Sequence, residues 1–442
     1  MDFFSPSFLL AMDLSNPYYL IIGASAVIIL SFIFGEISQK TNIPSVLMLI
    51  VLGVVLQKVI HIEKSSVLGI LEVLGIVGLI MIVLEAALEL ELKPEKYVPI
   101  VKALVIALIG LIVSAYVAAK LLNHFVDGMS MQQAWFYATP LSILSSAIII
   151  PSVSGLSPSK REFHIYESTF SDILGIMMFI FLRGQVESSL DQAGGGGGGV
   201  SAFAFKVVLT IFISFVASYL IILIFQSIKS HIKLFLLIAV LLLLYSVGKK
   251  MGLSSLLIIL VFGLIIANMK LFFRGPLGRW LEIEKAEHIY EGLHVITMET
   301  AFVIRTFFFV FFGLSIVIAS IFDPSVAMVS ILIIISIYVI RYAVLKLFIG
   351  SDIIPQLYIA PRGLITVLLF YQIPSEVKVA TFNEGILLFI IIGTSLIMTV
   401  AMVRDKQKTS IAVRKAEESP VGYEKWKAPT VTEIVEDHGG KH

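Results

Sequence analysis

Long apolar runs recur along almost the whole chain. Stretches of about 20 predominantly apolar residues, the length that crosses a bilayer as a helix, follow one another from Pro17 to Val403. Only 14% of the residues are charged and 58% are hydrophobic, whereas soluble domains carry about 25% charged residues. Because no water reaches the hydrocarbon core, backbone N–H and C=O groups there must bond within the segment. The sequence therefore predicts an all-α polytopic membrane protein.

The apolar runs divide into thirteen predicted transmembrane segments, numbered here as spans one to thirteen. Their predicted boundaries are 17–36, 43–60, 67–90, 97–124, 131–153, 161–184, 200–228, 231–248, 253–272, 291–320, 325–349, 352–373 and 382–403. An odd number of spans places the two termini on opposite sides of the membrane. Residues 1–403 are thus predicted to form one transmembrane domain.

Basic residues indicate the orientation. Lys and Arg concentrate in the tail after Val403 and in the loops predicted to lie on the same side. By the positive-inside rule, the C-terminus is predicted to be cytoplasmic and the N-terminus external, in a cell membrane. Residues 404–442 are polar and lack periodicity, so a short disordered tail is expected. The glycine run Gly194–Gly199 predicts a flexible external linker.

Several classes of site are not indicated by the sequence. The chain has no Cys, so it can form neither a disulfide nor a cysteine metal site. The glycine run lacks the Lys-Ser/Thr ending of a P-loop. We therefore expect no nucleotide-binding domain, no nucleic-acid partner, no cofactor and no enzymatic activity. The eight His residues are scattered and suggest no role.

Two carboxylates lie deep within span six, in the sequence ESTFSDILG. At 1.5 Å per residue, Asp172 lies roughly 16 Å from the cytoplasmic end, near the middle of the core, and Glu167 roughly 9 Å from it. The two side chains are about 140° apart around the helix, so they do not form a carboxylate pair. Ser168, one turn before Asp172, shares its face.

A lone charge at the depth of Glu167 costs about 2.5–3.5 kcal/mol, so a partner is expected. Span eleven runs in the opposite direction, and its Arg341 lies roughly 12 Å from the cytoplasmic surface. The matching depth predicts a buried ion pair between Glu167 and Arg341. The alternative is that Arg341 extends to the membrane surface.

Prolines and small residues predict two interrupted spans. Span five contains Pro140, Pro151 and a run of hydroxyls, and span twelve contains Pro355, Pro361 and Gly363. Broken helices at corresponding positions of two halves indicate a transporter binding site. The two spans are seven apart, as an inverted repeat of spans four to six onto eleven to thirteen requires. Ordinary proline kinks are the alternative.

Together these motifs resemble the monovalent cation/proton antiporters of the sodium/proton exchanger superfamily, over nearly all thirteen spans. The resemblance rests on ESTFSD in span six, LSSAIIIP in span five, YVIRYAV in span eleven and APRGLITVLLF in span twelve. The sequences VLEAALELEL in span three and RTFFFVFFGLSI in span ten extend it. Each motif is weak alone, but their order and spacing are fairly specific.

The resemblance implies an inverted-repeat antiporter fold with about thirteen transmembrane helices, in which broken spans five and twelve cross. It also implies a homodimer, with a mobile core around spans four to six and eleven to thirteen. Asp172 would bind the transported Na⁺ or K⁺ and the proton in turn, with Ser168 as an oxygen ligand. The break in span five would add Ser145 and Ser146, and Ser171 would lie beside the acid. Glu167 and Arg341 would be the structural pair.

Two departures from the family pattern concern the ion site. Ser171 replaces the Asn or Asp that most relatives carry before the ion-binding aspartate, and a sequence like SSA replaces their Thr-Asp-Pro in span five. Both remove groups that could coordinate a cation or carry a proton. With a single cycling carboxylate, we expect electroneutral exchange of one cation for one proton.

Further charges within or beside spans are auxiliary candidates: Glu85, Glu299, Arg305 and Arg362. Glu85 and Glu89 are placed to shape an entry funnel, and Arg362 to neutralise the carbonyl end of a broken helix. Two other functions remain open at this point. An organic-anion symporter of similar fold would not need the buried acid and arginine, and a cation channel would need a continuous polar pore.

Overall fold

A computed structural model of the chain describes residues 17–418 except 42, 60–63, 91, 93, 191–199, 229–232, 252, 254, 274–281, 316–319 and 321. The predicted glycine linker and the end of the tail lie outside the described residues. Within them the structure contains no β-strand. The α-helices are α1 Pro17–Thr41, α2 Ser45–Val59, α3 Lys64–Glu89, α4 Tyr97–Phe125, α5 Met131–Ser142, α6 Ser146–Ser152, α7 Pro158–Leu190, α8 Val200–Ser227, α9 Lys233–Lys250, α10 Ser255–Ala267, α11 Met269–Phe272, α12 Ile283–Ser315, α13 Pro324–Phe348, α14 Leu364–Tyr371 and α15 Gly385–Glu418.

The helices confirm the predicted all-α membrane class. Among the described residues, eight helices are long and apolar enough to cross a membrane, and two further apolar helices are shorter. Each predicted span coincides with a helix or with helical pieces separated by a few other residues. The number of spans that cross the membrane, thirteen, stays a prediction.

The contacts between helices separate two bundles. We call α4, α5, α6, α7, α13, α14 and α15 the core bundle, because these helices pack mainly on one another. We call α1, α2, α3, α8, α9, α10 and α12 the scaffold bundle for the same reason. Fewer contacts join the two, chiefly from α3 to α7 and α14.

Glycines set the closest helix crossing of the scaffold bundle. A Cβ atom on Gly53 of α2 would lie 2.2 Å from the carbonyl oxygen of Val310, and one on Gly313 of α12 would lie 2.4 Å from that of Ile50. No side chain fits at either distance. Small residues of this kind let helix backbones approach closely in membranes, where van der Waals packing drives association.

The predicted tail requires one correction. Helix α15 continues to Glu418, so residues 404–418, expected to be disordered, are helical. This segment contains Lys, Gln, Ala, Arg and Glu, which are good helix formers, and it extends a helix that the membrane span has already nucleated. The prediction of disorder was therefore wrong for this part.

Candidate ion-binding site

The helix of span five is interrupted between α5 and α6. Pro140 lies in the last turn of α5, and residues 143–145 leave the helical conformation. Two backbone donors freed at the break find partners on other elements. The N–H of Leu144 donates to the hydroxyl of Ser171 at 2.9 Å, and the N–H of Ser145 donates to the carbonyl of Pro361 at 3.0 Å. The non-helical segment is thus held by α7 and by span twelve.

Span twelve is non-helical over 359–363, just before α14. Arg362 is buried there, and its Nε donates to the carbonyl of Leu141 at 2.7 Å. Its Nη1 donates to the carbonyl of Ala360 at 3.1 Å, and its backbone N–H donates to the hydroxyl of Thr394. The guanidinium therefore lies at the carboxyl end of α5, where the helix dipole is negative.

Two glycines let these segments pack. A Cβ on Gly363 would lie 2.4 Å from the Oγ of Ser145, so the two interruptions touch at a point where no side chain fits. A Cβ on Gly175 of α7 would lie 2.3 Å from the side chain of Ile143. The close contact of α5–α6, α7 and span twelve therefore depends on residues without side chains.

Asp172 lies on α7 beside this junction and is 1% exposed. Neither of its carboxylate oxygens has a hydrogen-bond partner within the described part of the chain. Among polar groups, Ser146 at the start of α6 interacts with it most strongly, through both its hydroxyl and its backbone N–H. Burying a charged carboxylate without partners is costly, so the environment of Asp172 differs from that of an ordinary structural carboxylate, and its predicted role in ion binding stays a prediction.

The serines predicted to contribute to the ion site differ in their hydrogen bonds. Ser168, Ser145 and Ser146 are all buried. Ser168, one turn before Asp172 on the same helix, donates its proton to the carbonyl of His164 at 2.7 Å, which leaves its oxygen lone pairs free to accept or to ligate. Ser171 instead accepts the Leu144 N–H, so its oxygen already stabilises the break.

Glu167 and Arg341 form a bidentate pair. Arg341 donates from Nη1 to Oε1 at 2.8 Å and from Nη2 to Oε2 at 2.9 Å, and the two side chains are 1% and 9% exposed. The Nε of Arg341 donates to the carbonyl of Gln356 at 3.0 Å. The pair therefore joins α7, α13 and the start of span twelve, and the carboxylate of Glu167 is committed to it.

Sequence reasoning missed His164. Its ring is fully buried, and its Nδ1 lies 3.3 Å from Oε2 of Glu167. The spacing of three residues on one helix face was the available signal. Thr394, which accepts the N–H of Arg362, gave no such signal because it lies in an ordinary apolar span.

The auxiliary candidates separate into two groups. Arg305 of α12 donates hydrogen bonds from both of its Nη atoms to the carboxylate of Glu85 on α3, at 3.1 and 3.2 Å. The two line a cavity of about 190 Å³ together with Glu89, Ser146 and other residues. Glu299 lies on an exposed part of α12 and does not line this cavity. The cavity reaches Ser146 and hence the surroundings of Asp172.

The side chains predicted to form the ion site offer oxygen donors: one carboxylate and several hydroxyls. No group of three or more His, Cys, Asp or Glu side chains that could hold a metal ion occurs within the residues that the structure describes. One carboxylate with hydroxyls and carbonyls is a set of hard oxygen donors, the kind that hard cations prefer. A carboxylate in that position can also take up a proton.

Comparison with known proteins agrees with this geometry. The chain resembles two solved structures of the sodium proton antiporter MjNhaP1 from Methanocaldococcus jannaschii. One, at pH 8, matches with a TM-score of 0.63 and 20% identity over 87% of this chain and 97% of that chain. The other, an electron-microscopy map, matches with a TM-score of 0.61 and 18% identity over 94% and 100%. At this identity the likeness establishes the fold.

No curated protein matches the sequence. The family model described as sodium/hydrogen exchanger, transmembrane, matches residues 26–410. That range contains both interrupted spans, the Glu167–Arg341 pair and Asp172. The chain therefore belongs to the sodium/hydrogen exchanger family, a family of membrane transporters.

Proposed function

We propose that this protein is a secondary antiporter that exchanges a monovalent cation, Na⁺ or K⁺, for a proton at Asp172. The observation that carries the proposal is the environment of this side chain. It is a fully buried carboxylate that has no hydrogen-bond partner among the residues that the structure describes, and it lies beside an interrupted helix with hydroxyls and backbone groups. Membership of the family supports cation/proton antiport as the activity.

Exchange follows from competition at one carboxylate. A proton on Asp172 removes the negative charge that a cation needs, and a bound cation excludes the proton. Ser168, Ser145 and Ser146 would supply further oxygen ligands to the cation. If the core bundle moves relative to the scaffold bundle so that the site faces each side in turn, loading on one side and unloading on the other gives antiport.

The proposed stoichiometry is one cation for one proton. Glu167 is paired with Arg341, and Glu85 with Arg305, so neither carboxylate is free to cycle. Ser171 is a hydroxyl and carries no proton at physiological pH. Transport would then move no net charge.

The remaining assignments also belong to the proposal. Na⁺ is the first candidate because MjNhaP1 is described as a sodium proton antiporter. The cell-membrane location, the cytoplasmic C-terminus and the homodimer follow from the basic loops and the family resemblance. A comparison of Na⁺, K⁺ and Li⁺ in the same vesicles would identify the cation.

The test is proton flux in everted vesicles that carry the wild type or Asp172→Asn. The amide keeps the shape of the side chain and cannot exchange a proton, so cation-driven flux should fall to that of empty vesicles. Asp127→Asn is the matched control, since Asp127 lies exposed in a loop. Normal exchange by Asp172→Asn, with equal protein in the membrane, would refute the assignment.

A further inference from the structure

The cavity lined by Ser146 is also lined by Arg305. A positive side chain is unexpected there, because the proposed function brings a cation through this cavity. Its wall is formed by α3 and α12 of the scaffold bundle and by α6 of the core bundle. Its charged side chains are Glu85, Glu89 and Arg305. Glu85 and Glu89 act electrostatically on Asp172, so an ion in this cavity is within reach of the transport site.

Glu85 and Glu89 are four residues apart on α3, so their side chains share one face of the helix. Two neighbouring carboxylates in a partly dehydrated cavity are the ligands that Ca²⁺ prefers. Arg305 makes the pair less suitable for Ca²⁺, because it donates hydrogen bonds to both oxygens of Glu85. Glu89 has no ion-pair partner among the described residues, so with both carboxylates ionised the three side chains carry one net negative charge.

We propose that Arg305 is a specificity-determining residue that keeps divalent cations out of this cavity. Its guanidinium neutralises the carboxylate of Glu85, so the cavity keeps one net negative charge. One net charge attracts a monovalent cation but binds it only weakly. The inference rests on the proposed cation/proton exchange, because it assumes that cations pass through this cavity to Asp172.

The expected discrimination follows from Coulomb's law. At an effective dielectric constant of about 20, a unit positive charge about 6 Å away weakens the binding of a divalent cation roughly a hundredfold more than that of a monovalent one. Removing the charge of Arg305 should therefore create a divalent site that the wild type lacks.

The first measurement is calorimetric titration of purified protein with Ca²⁺. Arg305→Gln should bind Ca²⁺ at least tenfold more tightly than the wild type, and Arg305→Lys, which keeps the charge, should resemble the wild type. The double variant Glu85→Gln/Arg305→Gln also has one net negative charge and should resemble the wild type. Unchanged Ca²⁺ binding by a folded Arg305→Gln would overturn the inference, whether or not the protein transports ions.

The second measurement is exchange in everted vesicles. Ca²⁺ should inhibit Arg305→Gln and leave the wild type and Arg305→Lys active. If the wild type shows no exchange, the proposed function fails, and the calorimetry still decides what Arg305 excludes. Should Arg305→Gln fail to fold, Glu85→Gln tests the same charge balance, since it leaves Arg305 without its carboxylate. It should raise the apparent KM for Na⁺ at least tenfold, and an unchanged KM would overturn the inference.

Discussion

At the scale of single residues, each buried charge of span six has a different environment. Glu167 has two hydrogen bonds from Arg341, whereas Asp172 has none within the described residues. A paired carboxylate stabilises structure, and an unpaired one remains available for a ligand. Ser171, between them in sequence, is used by the backbone of the interrupted helix. Six consecutive residues of one helix thus contain a paired acid, a backbone acceptor and a candidate ion ligand.

Breaking the Glu167–Arg341 pair should destabilise the protein. Either Glu167→Gln or Arg341→Gln leaves one buried charge without its partner, and such changes cost about 3–5 kcal/mol. The double variant should recover part of that loss, because it leaves no unpaired charge. The measurement is the melting temperature of the three variants in detergent. Strictly additive losses of stability would show that the two side chains do not act together.

At the scale of elements, the site depends on two interrupted spans that satisfy each other's backbone groups. The N–H of Ser145 donates to the carbonyl of Pro361, and the guanidinium of Arg362 lies at the carboxyl end of α5. A helix break in a membrane is stable only where freed groups find partners in protein or in a water-filled cavity. The two breaks therefore stabilise each other, and neither span would keep its shape alone.

Gly363→Ala tests this contact. The added methyl group would lie 2.4 Å from the Oγ of Ser145, so the two segments must separate. Overpacking of this kind costs about 1–3 kcal/mol, and exchange should fall because Ser145 and Ser146 shift away from Asp172. Gly110→Ala on α4 is the control, because an added Cβ there would meet nothing within 4 Å in the described part of the chain beyond its own helix. Equal melting temperatures and equal exchange for both variants would contradict the close contact.

At the scale of the whole molecule, the two bundles meet at the candidate transport site. Asp172 and the interrupted spans belong to the core bundle, and Glu85, Glu89 and Arg305 belong to the scaffold bundle. A cation that enters the cavity between α3, α12 and α6 thus contacts both. Relative movement of the bundles would change the access to Asp172 without changing the ligands that the core bundle supplies.

The one-carboxylate mechanism predicts electrically silent transport. A cation gradient applied to proteoliposomes on a solid-supported membrane should give no steady current, although proton movement is detected by a pH-sensitive dye. Clamping the membrane potential with valinomycin and K⁺ should leave the Na⁺-driven flux unchanged. A steady current that follows the cation gradient would mean that a second group, such as Glu89, carries a proton.

Much of the fold was predictable from the sequence because the bilayer restricts the alternatives. Apolar runs of sufficient length must be helical, and they predicted the all-α class, which the structure confirms. The motifs of spans five, six, eleven and twelve resembled the family, which the family model confirms. The partner predicted for Glu167 by depth alone is the residue that contacts it in the structure. The pairing of Glu85 with Arg305 was not predictable, since the spans that contain them are 220 residues apart and neither has a distinctive spacing.

The sequence by itself determined the all-α class and the positions of the apolar helices, because hydrophobic length is a local property. It did not determine how helix α15 ends, how the two interruptions touch, or which carboxylates are neutralised. Those features depend on side chains brought together from distant spans. Tertiary structure decided them because the partner of a buried charge depends on which helices pack together.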